Sequence, residues 1–296
     1  MPINESGYTY CHEHLHIDLS KQKGDDDCKL DQFELISAEL KALKTRGVFN
    51  IVEVTNKFMG RNPQFIEALT KETQMNILCS TGFYIEGFFP NALKQMSVVD
   101  IANTMIHEID NGIDDSNLRA SVIGEIGSSH NVFTDTERKV FEGAAIAHLE
   151  TGCPISTHTS FSTMAKSQVE LLRNMKVNLN NVSIGHCDLR DNFDDILWLL
   201  DQGCYVQFDT IGKNDYYPDA KRIAVIDSLI RRGYADRVML SMDITRKSHL
   251  KENGGLGFCY LIDHFVPMLL ERGIQQQYID LMLKHNPANF FGTTQK

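Results

Sequence analysis

The stretch YTYCHEHLHIDLS, residues 8 to 20, places a histidine at every second position: His12, His14 and His16. It opens with aromatic and β-branched residues, which favour a strand. Side chains on a strand alternate between its two faces, so His12 and His14 point to one side while Glu13 points to the other. His16 falls where the strand should already be turning into a loop. A shared face of two imidazoles raises the question of whether it binds metal.

The same kind of unit recurs along the chain, as a short apolar strand, a polar loop and an amphipathic helix that ends at glycine. Asp31 and Glu34 are expected to cap the helix at 31–46, and Thr134 and Glu137 a later one. The eight predicted strands are 8–14, 48–55, 76–81, 119–125, 154–158, 182–187, 204–209 and 237–243.

Eight alternations of strand and helix in 296 residues are typical of a (β/α)₈ barrel, and a doubly wound open sheet is the alternative. No proline-rich, serine-rich or low-complexity linker divides the sequence. We therefore predict an α/β fold with one domain over residues 1–296, in which residues 274–296 form a helical extension.

Composition narrows the classes of partner. The formal net charge is −10 and no long basic run is present, which argues against binding to nucleic acid. No apolar run approaches the roughly 20 residues that span a bilayer, and the N-terminus lacks a signal-peptide pattern. The seven cysteines are scattered, without a C-x-x-C pair. We expect a cytoplasmic protein with a small-molecule partner and with neither a nucleic-acid nor a membrane partner, and a homo-oligomer is compatible with the sequence.

Metal-ligating side chains stand at the predicted C-terminal ends of four further strands. In a (β/α)₈ barrel these ends meet at one rim, where catalytic groups are found. Four imidazoles and two carboxylates suit zinc or a similar divalent ion. Six ligands exceed the needs of one tetrahedral ion, so two ions that share a carboxylate are expected. The six candidates are His12, His14, Glu125, His158, His186 and Asp243.

The motifs HEHLH, GEIG, STHTS, GHCD and LSMD, in this order, resemble the phosphotriesterase family of the amidohydrolase superfamily, and most of all its phosphotriesterase homology proteins. The resemblance extends from about residue 8 to NPANFF at 286–291. It implies a binuclear metallohydrolase on a distorted (β/α)₈ TIM barrel. It also implies that His12, His14 and Asp243 hold the more buried ion, His158 and His186 the more exposed one, and that Glu125 bridges them.

Two departures from the organophosphate hydrolases of this family matter. Those enzymes bridge their metals with a carboxylated lysine, where this chain has Glu125. Their Asp-His proton shuttle falls, by similarity, on Leu189 and Thr210, so that proton route is not inherited. Activity on neutral triesters is therefore not expected to carry over.

Loops after the strands are expected to bind substrate. Four cations on the rim of an acidic protein suggest an anionic substrate. The candidate contacts are Tyr84, Arg246, Lys213, Lys57 and Arg61. Five further histidines, His107, His148, His249, His264 and His285, are interpreted as structural or solvated.

The predicted function is hydrolysis by a metal-bridging hydroxide, with Asp243 as the catalytic residue that orients it and accepts its proton. Small anionic phosphorus esters, either phosphonate monoesters or phosphodiesters, are the expected substrates. A lactonase, for instance one that acts on phosphorylated sugar lactones, is the alternative. A barrel that binds metal or ligand without turnover is the alternative from another class.

Overall fold

Eight parallel strands form the centre of the molecule and pair in the order in which they occur along the chain. A computed structural model describes residues 2–292 of the protein. The strands are β1 (Tyr8–Glu13), β2 (Val48–Glu53), β3 (Asn76–Thr81), β4 (Ala120–Ser128), β5 (Ile155–Thr159), β6 (Val182–Ile184), β7 (Tyr205–Phe208) and β8 (Val238–Leu240). A doubly wound sheet would reverse its strand order, so the predicted barrel is confirmed.

The junction between β1 and β8 is made by side chains. The backbone N–H of His12 donates to Ser241 Oγ at 3.1 Å, and the Cys11 thiol donates to the carbonyl of Leu240 at 3.5 Å. Backbone ladders join all the other neighbouring strands. The result is a nearly closed barrel with one seam that depends on side-chain chemistry.

Several strands end at positions other than those predicted. β4 continues three residues past Glu125 to Ser128, whereas β6 stops at Ile184 and β8 at Leu240. His186 and Asp243 therefore lie in loops, with positive backbone φ angles of 55° and 53°. An extended strand cannot contain such left-handed residues, which explains the early endings.

Seven amphipathic helices lie between the strands. They are α1 (Phe33–Lys44), α2 (Pro63–Thr73), α3 (Val98–Asp110), α4 (Asp135–Thr151), α5 (Ala165–Asn174), α6 (Phe193–Asp201) and α7 (Asp219–Arg231). Shorter helical segments are Ser20–Lys23 and Asn91–Gln95, and Ile17–Asp18 pairs antiparallel with Lys29–Leu30. Within residues 2–292 no helix has both the length and the apolar character needed to cross a bilayer.

The ends of two helices test the capping predictions. Thr134 and Glu137 form the predicted reciprocal capping box at the start of α4, which ends at Gly152 with φ of 75°. The box predicted from Asp31 and Glu34 is wrong, because α1 begins after Gln32 without a side-chain cap. The Asp31 carboxylate instead lies 3.3 Å from the ammonium of Lys29.

The chain after β8 returns beneath the barrel. Its helical segments are Leu261–Phe265, Val266–Glu271, Gln276–Asp280, Leu281–His285 and Asn286–Phe291. The Asn286 amide donates to the carbonyls of Ala235 and Val238, and Phe290 and Phe291 pack in an apolar cluster with Cys11, Val52, Leu78, Val122 and Met239. The extension predicted for residues 274–296 falls here, and residues 293–296 lie outside the described residues.

A buried arginine fastens two loops at the opposite, C-terminal end of the barrel. Arg222 of α7 is fully buried and donates to Asp188 at 2.7 Å, to Asp219 at 2.8 Å and to the hydroxyl of Thr210 at 2.9 Å. Asp188 follows β6 and Thr210 follows β7. One guanidinium thus holds both loops in place.

Replacing this arginine should destabilise the fold strongly. Arg222→Met keeps the length of the side chain but leaves the buried carboxylates of Asp188 and Asp219 without a counter-charge, so the free energy of unfolding should fall by about 3–5 kcal/mol. Urea denaturation would measure this. Lys221→Met, at the exposed neighbouring position, should change it by no more than about 0.5 kcal/mol. Equal effects of the two variants would contradict the role given to Arg222.

Candidate metal centre

Six side chains that could bind metal meet at the C-terminal end of the barrel. They come from β1, β4, β5 and the loops that follow β1, β6 and β8. Their ligand atoms form three overlapping groups, each within 4.8 Å: His12, His14 and Glu125; His12, His186 and Asp243; and Glu125, His158 and His186. The structure therefore brings together all six residues that the sequence selected.

Glu125 lies at the centre of this cluster. Its Oε1 is 3.3 Å from His14 Nε2, and its Oε2 is 3.0 Å from His158 Nδ1 and 3.6 Å from His186 Nε2. One carboxylate thus faces histidines on both sides. This is the arrangement that a carboxylate shared between two cations requires.

Hydrogen bonds fix the orientation of three of the imidazoles. The Nδ1 atoms of His12, His14 and His186 lie 2.9 Å from Gln207 Oε1, 2.7 Å from Thr55 Oγ1 and 2.8 Å from Asp209 Oδ1, respectively. These partners leave Nε2 of each ring for the centre of the cluster. Such outer hydrogen bonds set the tautomer and the direction of metal-binding histidines.

His158 is turned the other way. Its Nδ1 faces Glu125, while its Nε2 lies 3.1 Å from Ser160 Oγ and 3.4 Å from the hydroxyl of Tyr84. His158 is 8% exposed and His186 4%, whereas His12 and His14 are 0% and 1% exposed. The centre therefore has a deep end and an end that is open to the cavity.

One atom of the cluster supports a metal site directly. His12 Nε2 is fully buried and has no hydrogen-bond partner among the described residues. A buried nitrogen without a partner carries an unfavourable desolvation energy, which coordination of a cation would remove. The mixed imidazole and carboxylate ligands also suit a borderline divalent ion such as zinc. The residues present therefore fit a binuclear metal centre.

Both carboxylates of the cluster are held in the charged form. Burial would raise the pKa of Glu125, but the imidazoles of His12, His14 and His158 outweigh it and hold that pKa well below its usual range. Burial likewise opposes ionisation of Asp243, yet the ammonium of Lys213 and the ring of His14 lower its pKa. Ionised carboxylates are the form that binds metal.

A third buried carboxylate, Glu13, holds the loop that carries Asp243. Its Oε1 accepts hydrogen bonds from Ser241 Oγ at 2.6 Å and from the N–H of Met242 at 2.7 Å, and its Oε2 accepts from the N–H of Ile244 at 2.9 Å. The backbone is therefore held on both sides of Asp243. This support sustains a left-handed conformation that costs a non-glycine residue about 1–2 kcal/mol.

A cavity of about 270 Å³ opens above the cluster. Of the five predicted substrate contacts, Tyr84, Lys213 and Arg246 line it. Lys213 donates to both the carbonyl and the carboxylate of Asp243, and Arg246 lies 2.8 Å from Asp25 Oδ2. Their charges are thus partly offset by neighbouring carboxylates.

The prediction for Lys57 and Arg61 needs correction. The structure places them outside this cavity, where both pair with Glu108 and Asp114. Arg61 contacts Glu108 at 2.8 Å and Asp114 at 2.9 Å through its terminal nitrogens. Acidic residues of α3 and of the loop after it therefore form ion pairs with these two cations.

Sequence reasoning missed several residues that line the cavity. They are Lys23, Phe88, Phe161, Tyr216 and His249. Phe161 and Tyr216 follow β5 and β7, so their place after barrel strands was a usable signal. Lys23 lies on the short helix Ser20–Lys23, in the connection between β1 and α1, so the same signal applies to it.

Comparisons with known proteins agree with this geometry. The sequence model that describes the phosphotriesterase family matches residues 2–291 of this chain. The phosphotriesterase homology protein of Escherichia coli strain K12 is 53% identical over 98% of this chain and 100% of that protein. Its crystal structure, with phosphate in the active site, superposes with a TM-score of 0.97 and covers the same shares of the two chains.

More distant relatives act on different bonds. The N-acetyltaurine hydrolase of Rattus norvegicus is 31% identical over 88% of this chain and 77% of that protein. A lactonase from Listeria monocytogenes is 26% identical, with a TM-score of 0.92 and coverage of 97% of this chain and 95% of that one. One architecture thus serves amide and lactone hydrolysis.

The geometry around Glu13 makes a specific prediction. In Glu13→Gln, whichever way the amide turns, an N–H of residue 242 or 244 meets an NH₂ group instead of an oxygen. The free energy of unfolding should fall by about 1–3 kcal/mol, and hydrogen exchange at one of these amides should accelerate.

Exchange measured by NMR would check this against Glu39→Gln as the control. Glu39 also bridges two amides after β8, those of Lys251 and Phe258 at 2.7 Å each, but it does not contact residues 241–244. Unchanged exchange at both Met242 and Ile244 in Glu13→Gln would rule out this support.

Proposed function

This chain belongs to the phosphotriesterase family and is a hydrolase, and from that premise we propose that it uses two divalent metal ions to cleave small anionic phosphorus esters. Phosphonate monoesters and phosphodiesters are the substrates proposed. The observation that carries the proposal is the convergence of four imidazoles and two ionised carboxylates at the floor of one cavity.

The ligands divide between a deep and a more exposed position. His12, His14 and Asp243 would hold the deeper ion, and His158 and His186 the ion nearer the cavity. Glu125, which faces histidines on both sides, would be shared. Among the histidines, the greater exposure of His158 and His186 than of His12 and His14 supports this division. We propose zinc, because imidazole nitrogens outnumber carboxylates among the ligands.

When bound, two such ions lower the pKa of a shared water and polarise the substrate oxygen. Asp243, ionised and beside the cavity, is placed to orient that water and accept its proton. Lys213 lies against its carboxylate and keeps it charged. Leu189 lines the cavity where an Asp-His shuttle would need a polar group, so Asp243 is the proposed first proton acceptor.

The cavity supports a small anionic substrate. Its volume of about 270 Å³ suits a small molecule, and Lys23, Lys213 and Arg246 line it. The related protein of Escherichia coli holds phosphate in its active site. Phosphate is a phosphorus oxyanion, as the proposed substrates are. Tyr84, with its hydroxyl 3.4 Å from His158 Nε2, is the proposed contact nearest the open end of the centre.

A second candidate is hydrolysis of an amide of a small anionic acid. The same cations would bind a sulfonate, and relatives about 30% identical are N-acetyltaurine hydrolases. A lactone is the third candidate, supported by the Listeria monocytogenes lactonase. A ligand-binding barrel without turnover is the least supported, since the metal end opens into the cavity.

We propose a cytoplasmic location on the basis of the thiols. All seven cysteines are free, and six of them are buried. Secreted proteins tend to pair their cysteines in disulfides, whereas a reducing compartment preserves thiols.

Metal content tests the centre. The purified protein should contain two divalent ions per chain, and Glu125→Ala should contain fewer, because the shared carboxylate is lost. Elemental analysis would measure both. Glu108→Gln, which alters a buried carboxylate that pairs with Arg61 outside the cavity, should keep two ions. Full occupancy in Glu125→Ala would remove Glu125 from the ligand set.

A panel of substrates tests the reaction. We expect hydrolysis of nitrophenyl methylphosphonate with a higher kcat/KM than that of a neutral phosphotriester, of N-acetyltaurine or of simple lactones. In protein that still contains two ions, Asp243→Asn should lower kcat by about 10²–10⁴-fold, as expected for loss of a general base. A higher kcat/KM for N-acetyltaurine or for a lactone would contradict the proposal that phosphorus esters are the substrates. Absence of turnover in protein that contains two ions would favour the binding-protein alternative.

A further inference from the structure

His249 lies in the loop after β8, within the short helical turn Lys247–His249, and lines the same cavity as the metal ligands. The interpretation of this histidine as structural or solvated does not account for that position. It stands beside Thr245 and Arg246, which also line the cavity. The ring is only partly exposed, so it belongs to the wall of the cavity and not to the outer surface.

The hydrogen bonding of the ring fixes its tautomer. The backbone N–H of Thr245 donates to His249 Nδ1 at 3.2 Å. Nδ1 must then be the acceptor nitrogen, and a neutral ring carries its proton on Nε2. Among residues 2–292, no group forms a hydrogen bond with Nε2. The ring, which lines the cavity, therefore has one unused N–H donor.

The surroundings keep this ring neutral. Burial and the nearby cations of Lys213 and Arg246 lower the pKa of His249 to about 4, although Asp243 and Asp27 act in the opposite direction. At neutral pH such a ring is uncharged. It therefore keeps the N–H of Nε2 available to donate a hydrogen bond without adding charge.

We propose that His249 is a substrate-binding residue whose Nε2–H donates to an oxyanion oxygen of the substrate. This inference rests on the proposed function, since it names a contact within the same site. The acceptor is an oxygen of a phosphonate, phosphate or sulfonate group. A neutral donor of fixed direction complements the cations, because it selects for an oxygen in one position without adding charge.

Steady-state kinetics of the metal-loaded enzyme test this contact. With nitrophenyl methylphosphonate, His249→Ala should raise KM by about tenfold or more, the usual effect of losing a hydrogen bond to a charged group, while kcat changes by less than about threefold. His249→Gln, whose terminal N–H₂ can still donate, should recover part of the loss. Metal content should remain at two ions in both variants.

His264→Ala is the matched control. His264 is an exposed histidine on the segment Leu261–Phe265, outside the cavity, and its replacement should leave both kinetic constants unchanged. If KM of His249→Ala equals that of the wild type and of His264→Ala, the inference is overturned. A fall in kcat of His249→Ala with unchanged KM would also overturn it, because a substrate-positioning donor should act on binding.

Binding of methylphosphonate separates this inference from the proposed function. In ¹⁵N spectra of histidine-labelled metal-loaded protein, His249 should show a protonated Nε2 and an unprotonated Nδ1, and its Nε2–H signal should shift when methylphosphonate is added. Affinity for methylphosphonate should fall about tenfold in His249→Ala. These results would support the contact even if no ester in the panel were hydrolysed. A Nδ1–H tautomer, or an unshifted Nε2–H signal in a protein that binds methylphosphonate, would overturn it.

Discussion

One buried carboxylate joins the first strand of the barrel to the loop after the last. Glu13 stands between His12 and His14 in sequence and accepts hydrogen bonds from Ser241 and from the amides on either side of Asp243. At this seam the described structure has no backbone ladder, so the same group supports barrel closure and site assembly. The histidines of β1 and the carboxylate of the β8 loop are consequently held as one unit, and the remaining ligands are positioned around them.

The sequence predicted the barrel and identified six residues that do converge. It could do so because strands are recognisable from their residue pattern and because His, Glu or Asp stands near the end of several of them. It could not locate the left-handed turns at His186 and Asp243, since nothing in the sequence distinguishes them from extended residues. Lys57 and Arg61 were misplaced because their partners, Glu108 and Asp114, are distant in sequence. His249 was not selected because it is a single histidine in a long loop, without a second histidine at strand spacing as in His12 and His14. Its tautomer is indicated only by the hydrogen bond that it accepts from Thr245.

The charges around the cavity are balanced more closely than the sequence suggests. Arg246 faces Asp25 and Asp27, and Lys213 faces Asp243, so the cations are held by carboxylates and are not freely available. An incoming anion must compete with these partners, and this competition favours a substrate whose oxygens reach several groups at once. Relatives named as amide and lactone hydrolases share the architecture, so the barrel alone does not determine the substrate.

The segment Asn286–Phe291 packs beneath the barrel, with the Asn286 amide bound to carbonyls at the start of β8 and two phenylalanines in the cluster that includes Cys11 and Val52. During translation, the contacts of Cys11 and Val52 with Phe290 and Phe291 can form only after residue 291 has been synthesised. Until then this apolar cluster lacks two of its aromatic side chains, and incompletely packed apolar surface favours aggregation and chaperone binding. The first strands of the barrel can therefore complete their packing only well after they are synthesised.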